Sequence, residues 1–392
     1  MPNTEVRSMS RPGSRDPLFF RPLWIEVDDS ALRRNLKHIR RHVGTRVKIL
    51  ATVKQEAYGH GLIPAARAFA AAGADLFGVG SLEEAIQLRK AGIKKEILLL
   101  SLLLPKYASY CLEYRVIPAV AGLALVRQLQ KAAEKRACTV PVHLKIDTGM
   151  GRLGPYRRQA AELAEEIRSR YPRLEIDGVF THFPVADTDP EFTRAQIEAF
   201  RGFVAQLRTA GVPVRLVHCA NSAATLLFAD SHFSLVRPGL ALYGVQPASN
   251  TEFPLSPALS LKSRVIYRKI VPRGGSVSYG RTFRAKSSTR IATVAAGYAD
   301  GYPWSASNRA QVIFKNCLCP QTGRVCMDHF MFRLPRGQDA RIGDEVILLG
   351  KSSRRRVSAE QLAHWAGTIP YEILTRLSDR IPRIYRGNTK SR

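Results

Sequence analysis

Residues 142–182 read VHLKIDTGMGRLGPYRRQAAELAEEIRSRYPRLEIDGVFTH. A short run rich in β-branched residues (Val142–Asp147) passes through a glycine-rich turn into an amphipathic stretch of helical period (Arg157–Arg170). A second apolar run (Gly178–His182) follows. That order is one strand–helix–strand unit. The alternation continues in both directions. Further strands are predicted at Trp24–Val27, Val47–Lys54, Asp75–Gly78, Glu96–Leu100, Val116–Val120, Val214–Cys219 and Phe233–Arg237. Helices such as Ser30–His42, Leu62–Ala72, Leu82–Ala91, Leu123–Lys135 and Glu191–Ala210 lie between them. About eight such units over ~230 residues suit an N-terminal (β/α)₈ barrel better than an open sheet.

Past Pro254 the pattern changes. Short strands separated by turns such as Pro272-Arg273-Gly274-Gly275 replace the long helices, and only a helix at Ala359–Ala366 and a segment around Tyr371 interrupt them. The expected organisation is therefore α/β, with a barrel over 22–254 and an all-β domain over 255–392. Residues 1–21, with Arg7, Arg11 and Arg15, read as a disordered basic extension that lacks the apolar core of a secretory signal. The longest apolar run, Ile97–Leu104, is far short of the ~20 residues a membrane span needs. A cytoplasmic location and no membrane partner are expected.

Of 392 residues, 45% are hydrophobic and 23% charged, ordinary for a globular chain long enough for two cores. The net charge of +28 is extreme. It is spread along the chain, with no interleaved stacking aromatics, so a solvated basic surface is favoured over a specific nucleic-acid site. Cys317, Cys319 and Cys326 cluster, but without a CxxC pair they read as ordinary thiols, and no metal is expected.

In a barrel, side chains at the C-terminal strand ends face the functional mouth. Those positions hold Lys54, Lys145 with Asp147, His182, Cys219 with Asn221 and Ser222, and Arg237. So polar a set suits a phosphorylated carbonyl cofactor: an amine to join it, donors for its phosphate, and a group to set its ring electronics.

Seven segments carry a family resemblance: Val53–Gly61 (VKQEAYGHG), Lys145–Gly154 (KIDTGMGRLG), His218–Ser222 (HCANS), Val236–Gly239 (VRPG), Val277–Gly280 (VSYG), Gly297–Gly301 (GYADG) and Val325–Asp328 (VCMD). In this order, over about residues 22–385, they resemble the motifs of alanine racemases. The resemblance implies a homodimer with shared active sites that uses pyridoxal 5'-phosphate to interconvert L- and D-alanine for peptidoglycan synthesis. It makes Lys54 the residue that joins the cofactor and serves the D face. Tyr279 becomes the base for the L face, supplied by the partner copy. Racemisation needs the second base, because one base on one face returns the proton to the side it left. A tyrosine of ordinary pKa near ~10 is a poor base at neutral pH, and a chain through His182, Arg237 and His218 is implied to support it. Arg237 would face the ring nitrogen as a donor that does not give up its proton.

By the same resemblance Tyr58, Asn221, Ser222, Gly239, Leu240 and Tyr371 belong to the cofactor site, and Arg152 with Met327 to the substrate carboxylate site. Lys145 matches a lysine carried as a carbamate. Tyr298, Arg324, Cys326 and Asp328 match a constricted entrance. Two positions depart from the pattern. Gln55 replaces a small residue after the lysine, and Trp304 stands where an entrance arginine is common. A broad-specificity amino-acid racemase is the nearest alternative. A barrel-type decarboxylase is disfavoured by Arg237, since an acidic ring partner would be expected there.

Overall fold

The computed structural model describes residues 20–248 and 252–387, in two compact units, Ser30–Ser256 and the remainder. The expectation for residues 1–19 lies outside the described residues.

The first strand, β1 (Leu23–Asp28), corrects the expected boundary. It is not a barrel strand. It pairs antiparallel with a long strand after the barrel (Ile25↔Leu261) and parallel with the last strand (Ile25↔Arg383). Its sequence, LWIEVD, explains this: Glu26 interrupts the apolar run and meets Lys262 and Arg386. A barrel strand is buried on both faces, whereas a strand with one charged face belongs in an antiparallel sheet.

Eight parallel strands make the barrel: β2 (Lys48–Thr52), β3 (Leu76–Val79), β4 (Glu96–Leu102), β5 (Val116–Val120), β6 (Val140–Lys145), β7 (Leu174–Phe180), β8 (Leu216–His218) and β9 (Leu235–Val236). They pair in chain order from β2 to β8, and β9 returns to pair with β2. Ser234 N donating to Val217 O (3.2 Å) and Arg237 N donating to Ala220 O (2.9 Å) link β9 to β8. Leu50, Leu76, Leu98, Ile117, Leu216 and Leu235, from six different strands, form one buried cluster. Only the lumen can bring six strands together, and each such leucine contributes about 1.5–3 kcal/mol by leaving water.

In the second unit, β10 (Leu259–Val271) is the organising strand. It pairs with β1, with Thr289–Val294 and with Glu345–Lys351, and shifts register between Val265 and Tyr267. The unit is sheet-rich, as expected, with helices at Ala359–Ala366 and Pro370–Thr375. Arg324–Met327 is irregular loop. Cys317 and Cys319 lie on one strand, and all six cysteines are free thiols. Among the described residues no helix is long and apolar enough to cross a membrane.

Candidate active site

Lys54 follows β2 directly and opens a turn in the left-handed region. Gln55, Glu56, Ala57 and Tyr58 all have φ between 51° and 54°. Each such non-glycine residue costs roughly 1–2 kcal/mol, so the surroundings must impose the turn. Gln55 N donates to Glu84 Oε1 (2.5 Å), Leu62 N to Glu56 Oε2 (3.1 Å), and Gly61 N to Glu56 O (2.8 Å). Tyr58 stacks on Tyr243 at 4.8 Å, and the Tyr243 hydroxyl donates to Thr52 O at the end of β2. The exposed Gln55 side chain takes no part in these contacts, so Gln55→Gly is expected to raise stability by about 0.5–1 kcal/mol. Relief of left-handed strain outweighs the added freedom of the unfolded chain. A higher midpoint in urea or thermal unfolding checks this.

Glu84 was hidden in the sequence because Ser81-x-x-Glu84 is a helix capping box, and it does cap the helix Leu82–Lys90. Its carboxylate also accepts from Gly80 N (2.7 Å). A Cβ on Gly80 would stand 3.3 Å from Lys54 Cβ and 3.6 Å from Glu84 Oε2, so this glycine leaves room for the lysine stem.

Burial and the neighbouring Arg152 and Arg237 lower the Lys54 pKa, although Glu84 opposes them. Burial, with the same two arginines, lowers Lys145 to about 7. His182 and His218 are held well below the ordinary histidine range, mainly by burial and then by Arg237. Two arginines, Arg152 and Arg237, and two lysines of lowered pKa, Lys54 and Lys145, thus face two carboxylates, Glu84 and Asp147, the latter accepting from the Gly149 and Met150 amides. Basic side chains converging on a half-buried mouth suit a dianion.

Arg237 is buried and held from one side by acceptors: His218 Nδ1 (2.7 Å) on Nη1, and Thr181 O (2.8 Å) and Cys219 O (3.1 Å) on Nη2, with His182 Nδ1 at 3.4 Å. Burial brings its pKa down to about 10, which still leaves it protonated at neutral pH. Ser222 Oγ accepts from Gly239 N (2.8 Å) and Ala241 N (3.2 Å), so its own proton is free to be donated elsewhere. A Cβ on Gly239 would collide with the Tyr58 hydroxyl, which fixes glycine there. Leu240 opens the short 3₁₀ turn that follows. Asn221 caps the helix Ser222–Leu227 through Oδ1 to Ala224 N (3.0 Å), so its side chain serves the fold.

The remaining candidates lie on the sheet-rich unit. Tyr279 is 73% exposed on a turn between Ser278 (φ 66°) and Gly280 (φ 69°). Ser278 Oγ donates to Arg324 O (2.7 Å) and contacts Cys326 Sγ (3.3 Å). Tyr298 N donates to Cys326 O (3.0 Å), and Ala299 N to Met327 O (3.1 Å). A Cβ on Gly297 would strike the Met327 carbonyl, so glycine lets these loops meet. Buried Asp300 locks them, taking Gly297 N (2.9 Å), Arg21 and Arg380 (2.9 Å); Arg21 and Arg380 also lie 3.8 Å from Asp328. Arg324 lies 4.8 Å over the Trp304 ring, so the tryptophan that departs from the family pattern holds a cation of its own. Tyr371 sits, 38% exposed, on the helix Pro370–Thr375.

Two family models match: the alanine racemase N-terminal domain over residues 27–247, and the alanine racemase C-terminal domain over 258–385. An alanine racemase of Symbiobacterium thermophilum is 40% identical over 372 residues, covering 94% of this chain and 98% of that protein. The crystal structure of alanine racemase from D-cycloserine-producing Streptomyces lavendulae superposes with a TM-score of 0.91 at 36% identity, covering 95% and 99% of the two chains. That from Bacillus anthracis with bound L-Ala-P gives 0.88 at 37% identity, covering 95% and 96%. With both family domains matched in order along a barrel and a sheet-rich unit, this chain belongs to the alanine racemase family.

Proposed function

We propose that the chain interconverts L- and D-alanine by two-base racemisation, with Lys54 and Tyr279 as the bases and pyridoxal 5'-phosphate as cofactor. The observation that carries this reading is a half-buried lysine of lowered pKa, at the end of β2, beside Arg152 and Arg237. The cofactor fits that donor set. Its phosphate would take Ser222, Tyr58 and the amides near Gly239 and Leu240, Arg237 would face its ring nitrogen, and Lys54 would hold it covalently. When bound, it draws electrons from the substrate α-carbon and so acidifies the α-proton.

The chain's own groups do the rest. Arg152, with the Met327 backbone, orients the substrate carboxylate. Lys54 in its neutral form takes or returns the α-proton on one face, and the Tyr279 hydroxyl does so on the other. His182 and His218, both neutral, hold Arg237 without adding charge. Arg237 would offer the ring nitrogen a donor without surrendering its proton, which would limit charge uptake by the ring and disfavour side reactions. The exposure of Tyr279 supports a homodimer in which the phenol of one copy works with Lys54 of the other. A racemisation assay on the purified protein, with and without added pyridoxal phosphate and with alanine against serine, lysine and arginine, tests the function. Racemisation of alanine alone is expected, and no cofactor-dependent activity would refute it.

Lys145 is the carbamate site of this proposal. A neutral amine adds carbon dioxide and releases a proton, giving an anion that pairs with Arg152 where the ammonium form repels it. With a pKa of about 7 the neutral amine is abundant at neutral pH. Protein equilibrated with ¹³C-bicarbonate is expected to show a carbamate resonance that Lys145→Met lacks. In bicarbonate-free buffer the sign of the pH dependence follows. Above pH about 7 folded Lys145 releases a proton that the unfolded chain keeps until about 10.5, so stability rises with pH across that window relative to Lys145→Met.

A further inference from the structure

One line of polar groups runs through the barrel, buried from Arg237 to Asp177 and exposed at Arg215 and Glu96. Arg237 Nη1 lies 2.7 Å from His218 Nδ1, and His218 Nε2 lies 2.9 Å from His143 Nδ1. His143 Nε2 is 3.5 Å from Asp177 Oδ2, a long contact, and has no hydrogen-bond partner besides. Asp177 accepts from Arg215 Nε (2.6 Å) and Nη2 (2.8 Å), and Arg215 reaches Glu96 at 3.1 Å. Arg237 follows β9 at the mouth, whereas Glu96 opens β4 at the opposite end, so the line spans the lumen. Both histidines are fully buried. A Cβ on Gly178 would stand 2.5–2.6 Å from three atoms of the His143 ring, so β7 carries a glycine where that ring crosses it. Phe180 stacks on His218 at 4.9 Å with planes 5° apart.

The protons in this line have one direction. Arginine offers donors only, so His218 Nδ1 must be the acceptor. A neutral imidazole then carries its proton on Nε2 and donates to His143 Nδ1. The same step leaves the His143 proton on Nε2, facing a carboxylate. Burial keeps both rings neutral. Burial also disfavours the Asp177 charge, but His143 and Arg215 outweigh it and hold the carboxyl far below its ordinary range. Without the anion, His143 can reverse its tautomer, which forces His218 to turn an N–H toward the guanidinium.

We propose that Asp177, acting through His143 and His218, is a positioning residue that fixes both tautomers and so seats Arg237 as a donor at the barrel mouth. Its consequence for the ring nitrogen rests on the cofactor reading above; the tautomer assignment does not. The test uses ¹⁵N-histidine spectra of the full chain, unloaded and loaded with pyridoxal phosphate, for the unaltered protein, Asp177→Asn, His143→Phe and His143→Gln. Glutamine can accept from His218 and donate to Asp177, so it should preserve the direction of the line.

The unaltered chain is expected to show His143 and His218 protonated only at Nε2. Asp177→Asn and His143→Phe should give His218 mixed tautomers and move the visible absorption of the loaded enzyme. They should lower kcat about tenfold, the low end for loss of an orienting partner of this kind, with KM for alanine changed less than about twofold. His143→Gln should restore all three. Should Asp177→Asn not fold, the His143 pair decides. The proposal is overturned if unaltered His218 carries its proton on Nδ1, or if the variants leave its tautomer and the cofactor absorption unchanged. A chain that binds no cofactor refutes the proposed function, while its unloaded spectrum still decides the tautomers.

Discussion

Lys54→Ala is expected to lower racemisation by at least about 10⁴-fold, because it removes a general base and the covalent anchor together. The loss should be one of chemistry, not of folding. The Lys54 amine is disfavoured by burial and repelled by Arg152 and Arg237, so its removal relieves a like-charge contact. The left-handed turn is held by Glu84, Glu56 and Tyr243, none of which needs the amine. The measurement is borohydride reduction followed by mass spectrometry. The unaltered protein should retain one cofactor mass per chain on the peptide containing Lys54, and the variant none, with an unfolding midpoint no lower than that of the unaltered protein. A variant that racemises within tenfold of the unaltered protein would remove Lys54 from the mechanism. One that unfolds would make the lysine a structural residue.

What the sequence reveals about this site follows from strand ends. Lys54, Lys145, His182 and Arg237 each terminate a β-branched run, and a barrel sends such residues to one mouth. The structure brings them close enough for their charges to shift one another. Residues inside elements were not legible in this way. His143 lies within β6 and Asp177 within β7, where period-two reading treats them as ordinary strand positions. Only closure of the barrel sets them beside each other and beside His218. Glu84 carried a signal, but one that its capping role already explained. The left-handed turn had none, since Gln, Glu and Ala favour the right-handed helix, and hydrogen bonds from distant residues override that preference. β1 misled for a related reason: LWIEVD before an amphipathic helix is how a barrel unit begins, and the contrary sign was the single charge of Glu26.

Tyr279→Phe should separate the two faces of the proposed chemistry. L- and D-alanine have equal free energies in water, so kcat/KM for the two directions must fall by one common factor. That factor should be on the order of 10²–10⁴ for a lost general base. Inversion needs both bases, but exchange needs one. The variant should therefore still exchange the α-proton of D-alanine with deuterium from solvent through Lys54, without inverting it, and should lose that exchange on L-alanine. The fold gives no reason for another outcome: the ring is largely exposed, and the turn beneath it is held by Ser278, Arg324 and Cys326. Equal loss of exchange on both enantiomers would mean that the phenol serves the architecture of the site. Unchanged racemisation would mean that the second proton comes from elsewhere. Mixing Tyr279→Phe with Lys54→Ala extends the argument to assembly. If sites are shared between copies, a mixed dimer carries one site with both residues intact. Half of the unaltered activity per mixed dimer should then return from two nearly inactive proteins, a result that sites confined to one chain cannot give.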